Sequence, residues 1–205
     1  MSAADTYKKK LGQEIADLLG DEFTFYKSKL MLKRKRASGF DVIILAGSNK
    51  WSPLIDVSFY FGRNFDNARK VEKALNAHPM PYQIQQYSPN VNSMLGLDYS
   101  GDGNWEVNIE ESSQDVAIKI KSAIEKIAFP FFERFTTLEA AQEALTKEDS
   151  WCFSPKGPFY HMLFNVDAAL GDLEHFKKWS KCLDNFYIEQ VLEKIAILES
   201  SGFEI

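Results

Sequence analysis

The spacing of apolar positions divides the chain into a leading helix, a run of strands and a mostly helical remainder. Tyr7, Leu11, Ile15, Leu18 and Leu19 recur at helical spacing, which predicts an amphipathic helix over 6–19 that stops at Gly20-Asp21. From Phe23 to Phe65 the period becomes two, and the reading is a meander of three strands with two short turns. The first strand enters at Phe23 to Ser28 and continues through Leu30 to Arg36, and Ala37-Ser38-Gly39 turns it into Phe40 to Ala46. After Gly47-Ser48-Asn49-Lys50, the stretch from Leu54 to Phe61 alternates. Ile55, Val57, Phe59 and Phe61 are predicted to face inward, Asp56, Ser58 and Tyr60 outward. Gly62-Arg63-Asn64 should break that period.

Asp66 is the expected N-cap of a helix through Ala77 that carries Ala68, Val71 and Leu75, because Pro79 and Pro81 forbid its continuation. Strands are then predicted over 82–87, about 93–99 and 105–109, with Gly101-Asp102-Gly103-Asn104 turning the second into the third. Ser112 or Ser113 caps a helix whose Val116, Ile120, Ala123, Ile124 and Ile127 form an apolar stripe up to Pro130. Thr136-Thr137-Leu138-Glu139 has the form of a capping box and opens an Ala-rich helix through Leu145. Beyond 146–149 the alternation ends and helical spacing appears over 160–170, 173–182 and 186–198, with Gly171 between the first two. The expected fold class is α+β. An antiparallel sheet of about six strands with helices on one side occupies 1–145, and a helical C-terminal extension packed on it occupies 146–205.

Composition narrows the function classes. With 45% hydrophobic residues, a chain of 205 residues can bury a sizeable core, and its 16 Phe fit between sheet and helices. A formal net charge of -5 argues against a surface that coats nucleic acid. The two cysteines, Cys152 and Cys182, in a chain without a leader pattern point to free thiols in a reducing cytoplasm. No apolar run approaches the ~20 residues of a membrane-spanning helix.

Candidate chemistry is sparse. No glycine-rich phosphate loop and no Gly-x-Ser-x-Gly elbow is present, and the spacing of His78, His161, His175, Cys152 and Cys182 matches no zinc signature, so no cofactor is expected. Cys152 with His161 is the sharpest nucleophile pair the sequence offers. His175 and Cys182 lie two turns apart on one predicted helix. Asp41, Asp56 and Glu106 could form an acid pair or hold Mg²⁺; the plainer reading is strand carboxylates on a solvated face. The densest feature is basic: between Lys27 and Arg36 stand Lys27, Lys29, Lys33, Arg34, Lys35 and Arg36. The lysines share one strand parity, Leu30 and Leu32 the other. At a sheet edge such lysines would block pairing with another sheet; as a binding surface they would suit an acidic protein partner. Nucleic acid is the weaker reading, since only Phe23, Phe25 and Tyr26 lie close enough to stack bases.

The order of a short N-terminal helix, Phe23-Thr24-Phe25-Tyr26, the hairpin, the strand from Trp51 to Phe61 and a helical end resembles uncharacterised bacterial domain-of-unknown-function proteins over most of 1–145. Some such families resemble immunity proteins that neutralise polymorphic toxins. The resemblance rests on layout and carries over no functional residue. It implies a cytoplasmic, non-enzymatic protein-binding domain, of the kind that inhibits a toxin. The residues also admit a small hydrolase-like enzyme working through strand carboxylates or through Cys152 with His161.

Overall fold

A computed structural model describes residues 2–47, 53–76, 84–87, 105–147, 160–181, 183 and 185–203. In chain order these form α1 (Ala3–Leu19), β1 (Phe23–Tyr26), β2 (Met31–Arg36), β3 (Gly39–Ala46), β4 (Leu54–Phe65), α2 (Asp66–Ala74), β5 (Ile84–Tyr87), β6 (Trp105–Asn108), α3 (Ser113–Arg134), α4 (Leu138–Thr146), α5 (Tyr160–Leu170), α6 (Leu173–Ser180) and α7 (Asn185–Ser200). The fold is α+β. Five strands run across the sheet in the order β1-β2-β3-β4-β5, against about six expected, and β6 pairs with β4 off that path. The β1–β2, β2–β3 and β4–β6 pairs are antiparallel. The predicted strand at 93–99 and its glycine turn lie outside the described residues.

The chain divides into two compact units, 1–62 with 86–133, and 63–85 with 134–205. Thus α2 and α4 group with the C-terminal helices, whereas the sequence suggested a division near 145. The reason is burial: α2 presents Ala68, Val71 and Glu72 inward and packs on α5, and α4 packs on α5 as well.

In the first unit one sheet face is covered by helices. α1 starts earlier than its apolar spacing suggested because Ser2 and Asp5 form a capping box, and it ends at Gly20, whose φ of 83° suits glycine. Gly12 of α1 lies against the Phe25 ring so closely that a side chain there would collide with it. Phe129 of α3 stacks on Phe23, and Phe131 and Phe132 meet Phe61 edge-on at 5.1 and 6.2 Å between centroids. Ile55, Val57, Phe59 and Phe61 are all buried, as the alternation required. Two expected breaks are not breaks. β4 runs on through Gly62-Arg63-Asn64 to Phe65, and α3 continues past Pro130 to Arg134, where its buried Phe131 and Phe132 outweigh the proline's lost hydrogen bond.

The second unit is helical around Phe164, Phe176 and Trp179, whose rings lie 5.1 and 5.6 Å apart in sequence. Asp66 proves to be the first residue of α2 and not its cap, and α2 ends at Ala74 rather than Ala77. Thr137 caps α4 by accepting from the Ala140 N–H at 3.3 Å, one residue later than the proposed box. Gly171, at φ 70°, separates α5 from α6 as expected.

Candidate functional site

The basic segment is not one strand. The chain reverses at 27–30, with the Lys29 N–H donating to the Tyr26 carbonyl at 3.1 Å and Leu30 at φ 49°. Folding back sets Phe23 opposite Arg34 and Phe25 opposite Leu32, which buries Phe23 and half-buries Phe25 against the helices, where a straight strand would have carried both away. Among the described residues β1 therefore takes the sheet edge and β2 the second position, which places Lys33 and Lys35 inside the sheet and not on its edge. Lys27 and Lys29 sit exposed in the turn.

Alternation on β2 sorts the remaining basic residues. Leu32 and Arg34 face the helices and are buried, while Lys33 is half-buried and Lys35 exposed on the other face. Arg34 and Arg36 converge on Asp41, whose Oδ2 accepts from Arg34 Nε at 2.9 Å and Arg36 Nε at 2.7 Å. Arg34 Nη1 reaches Glu22 at 3.1 Å, and Arg36 Nη2 reaches Glu133 at 2.7 Å. The Arg34 guanidinium also lies 5.0 Å from the Phe23 and Phe129 ring centroids and 5.5 Å from that of Phe132. Burial works against the charge on Arg36, but hydrogen bonds to Glu133 and Asp41 outweigh it and push its pKa up. Both arginines are thus structural cations. The lysines differ: Lys33 Nζ sits 3.7 Å above the Phe40 ring, and no carboxylate among the described residues bonds to Lys27, Lys29 or Lys35.

The three strand carboxylates divide between the two faces of the sheet. Asp41 is fully buried on the helix-covered face, contrary to the solvated placement expected. Asp56 and Glu106 lie directly opposite one another in the β4–β6 pair, on the outer face. Two like charges in that position disfavour pairing, and among the described residues no group of three or more His, Cys, Asp or Glu could hold a metal ion.

The second unit contains a linked polar network that the sequence did not reveal. Asp167, on α5, is fully buried; its Oδ1 accepts from Gln142 Nε2 at 2.8 Å and its Oδ2 meets His175 Nδ1 at 3.0 Å. His175 Nε2 lies 3.2 Å from Thr146 Oγ1, an order that mimics a hydroxyl–imidazole–carboxylate relay. The proton inventory runs the other way. The Thr146 hydroxyl donates to the Gln142 carbonyl at 2.6 Å, so its oxygen accepts from the imidazole Nε2–H and offers no proton to it. A nucleophile needs the reverse. One further proton is shared between Asp167 Oδ2 and His175 Nδ1. Burial pushes the Asp167 carboxyl up to about 6, against the opposing hydrogen bonds from His175 and Gln142. Asp172 caps α6 through the His175 N–H, and a hydrogen bond from Gln142 together with that cap holds its carboxyl below the usual range.

Asp167, His175, Gln142 and Thr146 come from three helices and share no period, which is why spacing alone did not group them. His161 is half-buried beside the Tyr160 ring, while its proposed partner Cys152 lies outside the described residues, as do Cys182 and His78. Among the described residues no helix is long and apolar enough to cross a membrane. No family model matches the chain, and neither a curated protein nor a solved structure does.

Proposed function

We propose that the chain is a cytoplasmic, non-enzymatic binding protein that receives an acidic protein partner on the turn and outer face of the β1–β2 hairpin, with Lys27 and Lys29 in the turn and Lys35 toward its open end. The observation that supports this is the sorting of one basic segment into two classes: Arg34 and Arg36 are tied to Asp41, Glu22 and Glu133, whereas Lys27, Lys29 and Lys35 are exposed and bonded to no carboxylate among the described residues. Tyr26, 43% exposed, supplies an aromatic anchor beside them. The layout resemblance adds a partner class, a toxin that the chain would neutralise. Catalysis draws less support, because the best-formed relay has its hydroxyl proton directed away from the imidazole.

The test is charge reversal. Lys27→Glu, Lys29→Glu and Lys35→Glu together should slow association with a partner captured from the source cells by about tenfold at low ionic strength and flatten its salt dependence. Dissociation should change little, since exposed charges act chiefly on encounter. An association rate unchanged by the triple reversal, measured by stopped flow, would return these lysines to ordinary solvation.

A further inference from the structure

The edge of the sheet at β1 carries a second, differently charged surface. Which of its backbone groups point outward follows from two hydrogen bonds. The Leu45 N–H donates to the Leu30 carbonyl at 2.8 Å, so even-numbered residues of this segment face β3, and Met31 and Lys33 face β1. Their partners Tyr26 and Thr24 are then bonded to β2, and Phe23 and Phe25 turn their backbone groups off the sheet. The Phe23 N–H returns to the Gly20 carbonyl at 3.2 Å. The Phe23 carbonyl and both polar groups of Phe25 are left facing outward, and no strand among the described residues pairs with that side.

These groups border a cleft of about 350 Å³ between β1 and the C-terminal half of α1, with Gln13, Asp17, Asp21, Phe23, Thr24 and Phe25 in its walls. Asp17 and Asp21 are exposed, and Gln13 donates to Asp17 at 2.9 Å. The geometry points to an extended peptide segment with basic side chains, added to β1 as a further strand. Main-chain bonds to Phe23 and Phe25 would hold it, and alternate side chains would reach Asp17 and Asp21.

A second copy of this chain fits less well. Two β1 strands paired about a two-fold axis would stand ~4.8 Å apart and bring both α1 helices onto one face, where packed helices need ~8–10 Å. Since α1 already lies over β1, with Gly12 on the Phe25 ring, a bare peptide enters where a helix-bearing strand does not.

The experiment uses the full ¹⁵N-labelled chain and three synthetic hexapeptides: alternating Lys-Val, alternating Glu-Val, and Lys-Val methylated on alternate backbone nitrogens. The Lys-Val peptide should bind at least about tenfold more tightly than either of the others, because one lacks the charge and the other the donors. It should also slow hydrogen exchange of the Phe25 amide. Asp17→Asn with Asp21→Asn should reduce Lys-Val binding severalfold while leaving the amide spectrum of the free protein otherwise intact. Equal binding of the Lys-Val and Glu-Val peptides, or binding that leaves Phe25 exchange unchanged, would overturn the assignment.

Discussion

Replacing Asp167 by Asn should make the protein more stable at neutral pH, although it removes a carboxylate that holds two hydrogen bonds. The buried carboxyl is raised from its ordinary 3.8 to about 6, with burial as the leading cause. A group whose folded-state pKa lies above its unfolded value contributes stability that is fully present below about 3.8 and lost as pH rises through about 6. That interval corresponds to about 3 kcal/mol. An amide reproduces the protonated acid at this position: its oxygen accepts from Gln142 and its nitrogen donates to His175 Nδ1, while Nε2–H still bonds to Thr146. Asp167→Asn should therefore match the wild type near pH 4 and exceed it by up to about 3 kcal/mol near pH 8. Urea denaturation of both proteins between those limits measures the difference, in which the titrations of groups away from the Asp167–His175 pair cancel. A difference that stays flat with pH, or a variant weaker than the wild type by more than about 1 kcal/mol at pH 8, would show that the ionised carboxylate is favourably paired and the reasoning mistaken.

Two further outcomes concern the first unit. Phe59 is fully buried and stacks on Trp105 at 5.9 Å, so Phe59→Ala should cost about 3–5 kcal/mol in chemical denaturation. A loss below about 1 kcal/mol would mean that β4 presents its other face inward. Asp41→Ala should cost about 3–5 kcal/mol by removing the buried carboxylate from Arg34 and leaving its charge only the exposed Glu22 and Glu133, and combining it with Arg34→Met should recover part of the loss. A double variant no better than the single one would place the cost elsewhere than on Arg34.

The parts of the fold legible in the sequence are those written in a period. The alternation from Ile55 to Phe61 and the stripe from Val116 to Ile127 gave the right buried faces, with Val116 alone half-buried, because each reports one face of one element. The reversal at 27–30 was not legible. Ser28-Lys29-Leu30 carries none of the glycine or asparagine that advertises a tight turn, and its reason lies in the partners that Phe23 and Phe25 find on β2. The same blindness applies to Arg34. As a position in a basic run it looked like surface, and only the register opposite Asp41, with the rings above it, shows a buried cation. Strand continuation through Gly62 and helix continuation through Pro130 were hidden for a related reason: local punctuation was overruled by aromatic packing.

The interleaving of the two units bears on the order in which the chain can fold as it is made. The meander from β1 to β3 joins neighbours in sequence, so it can close early. α2 emerges soon afterwards but packs on α5, which is not complete until Leu170. At about 5–20 residues per second, α2 waits some seconds with its apolar face uncovered. For that interval a nascent chain exposes Ala68 and Val71 to whatever else is nearby, and a fragment ending at residue 145 would never cover them.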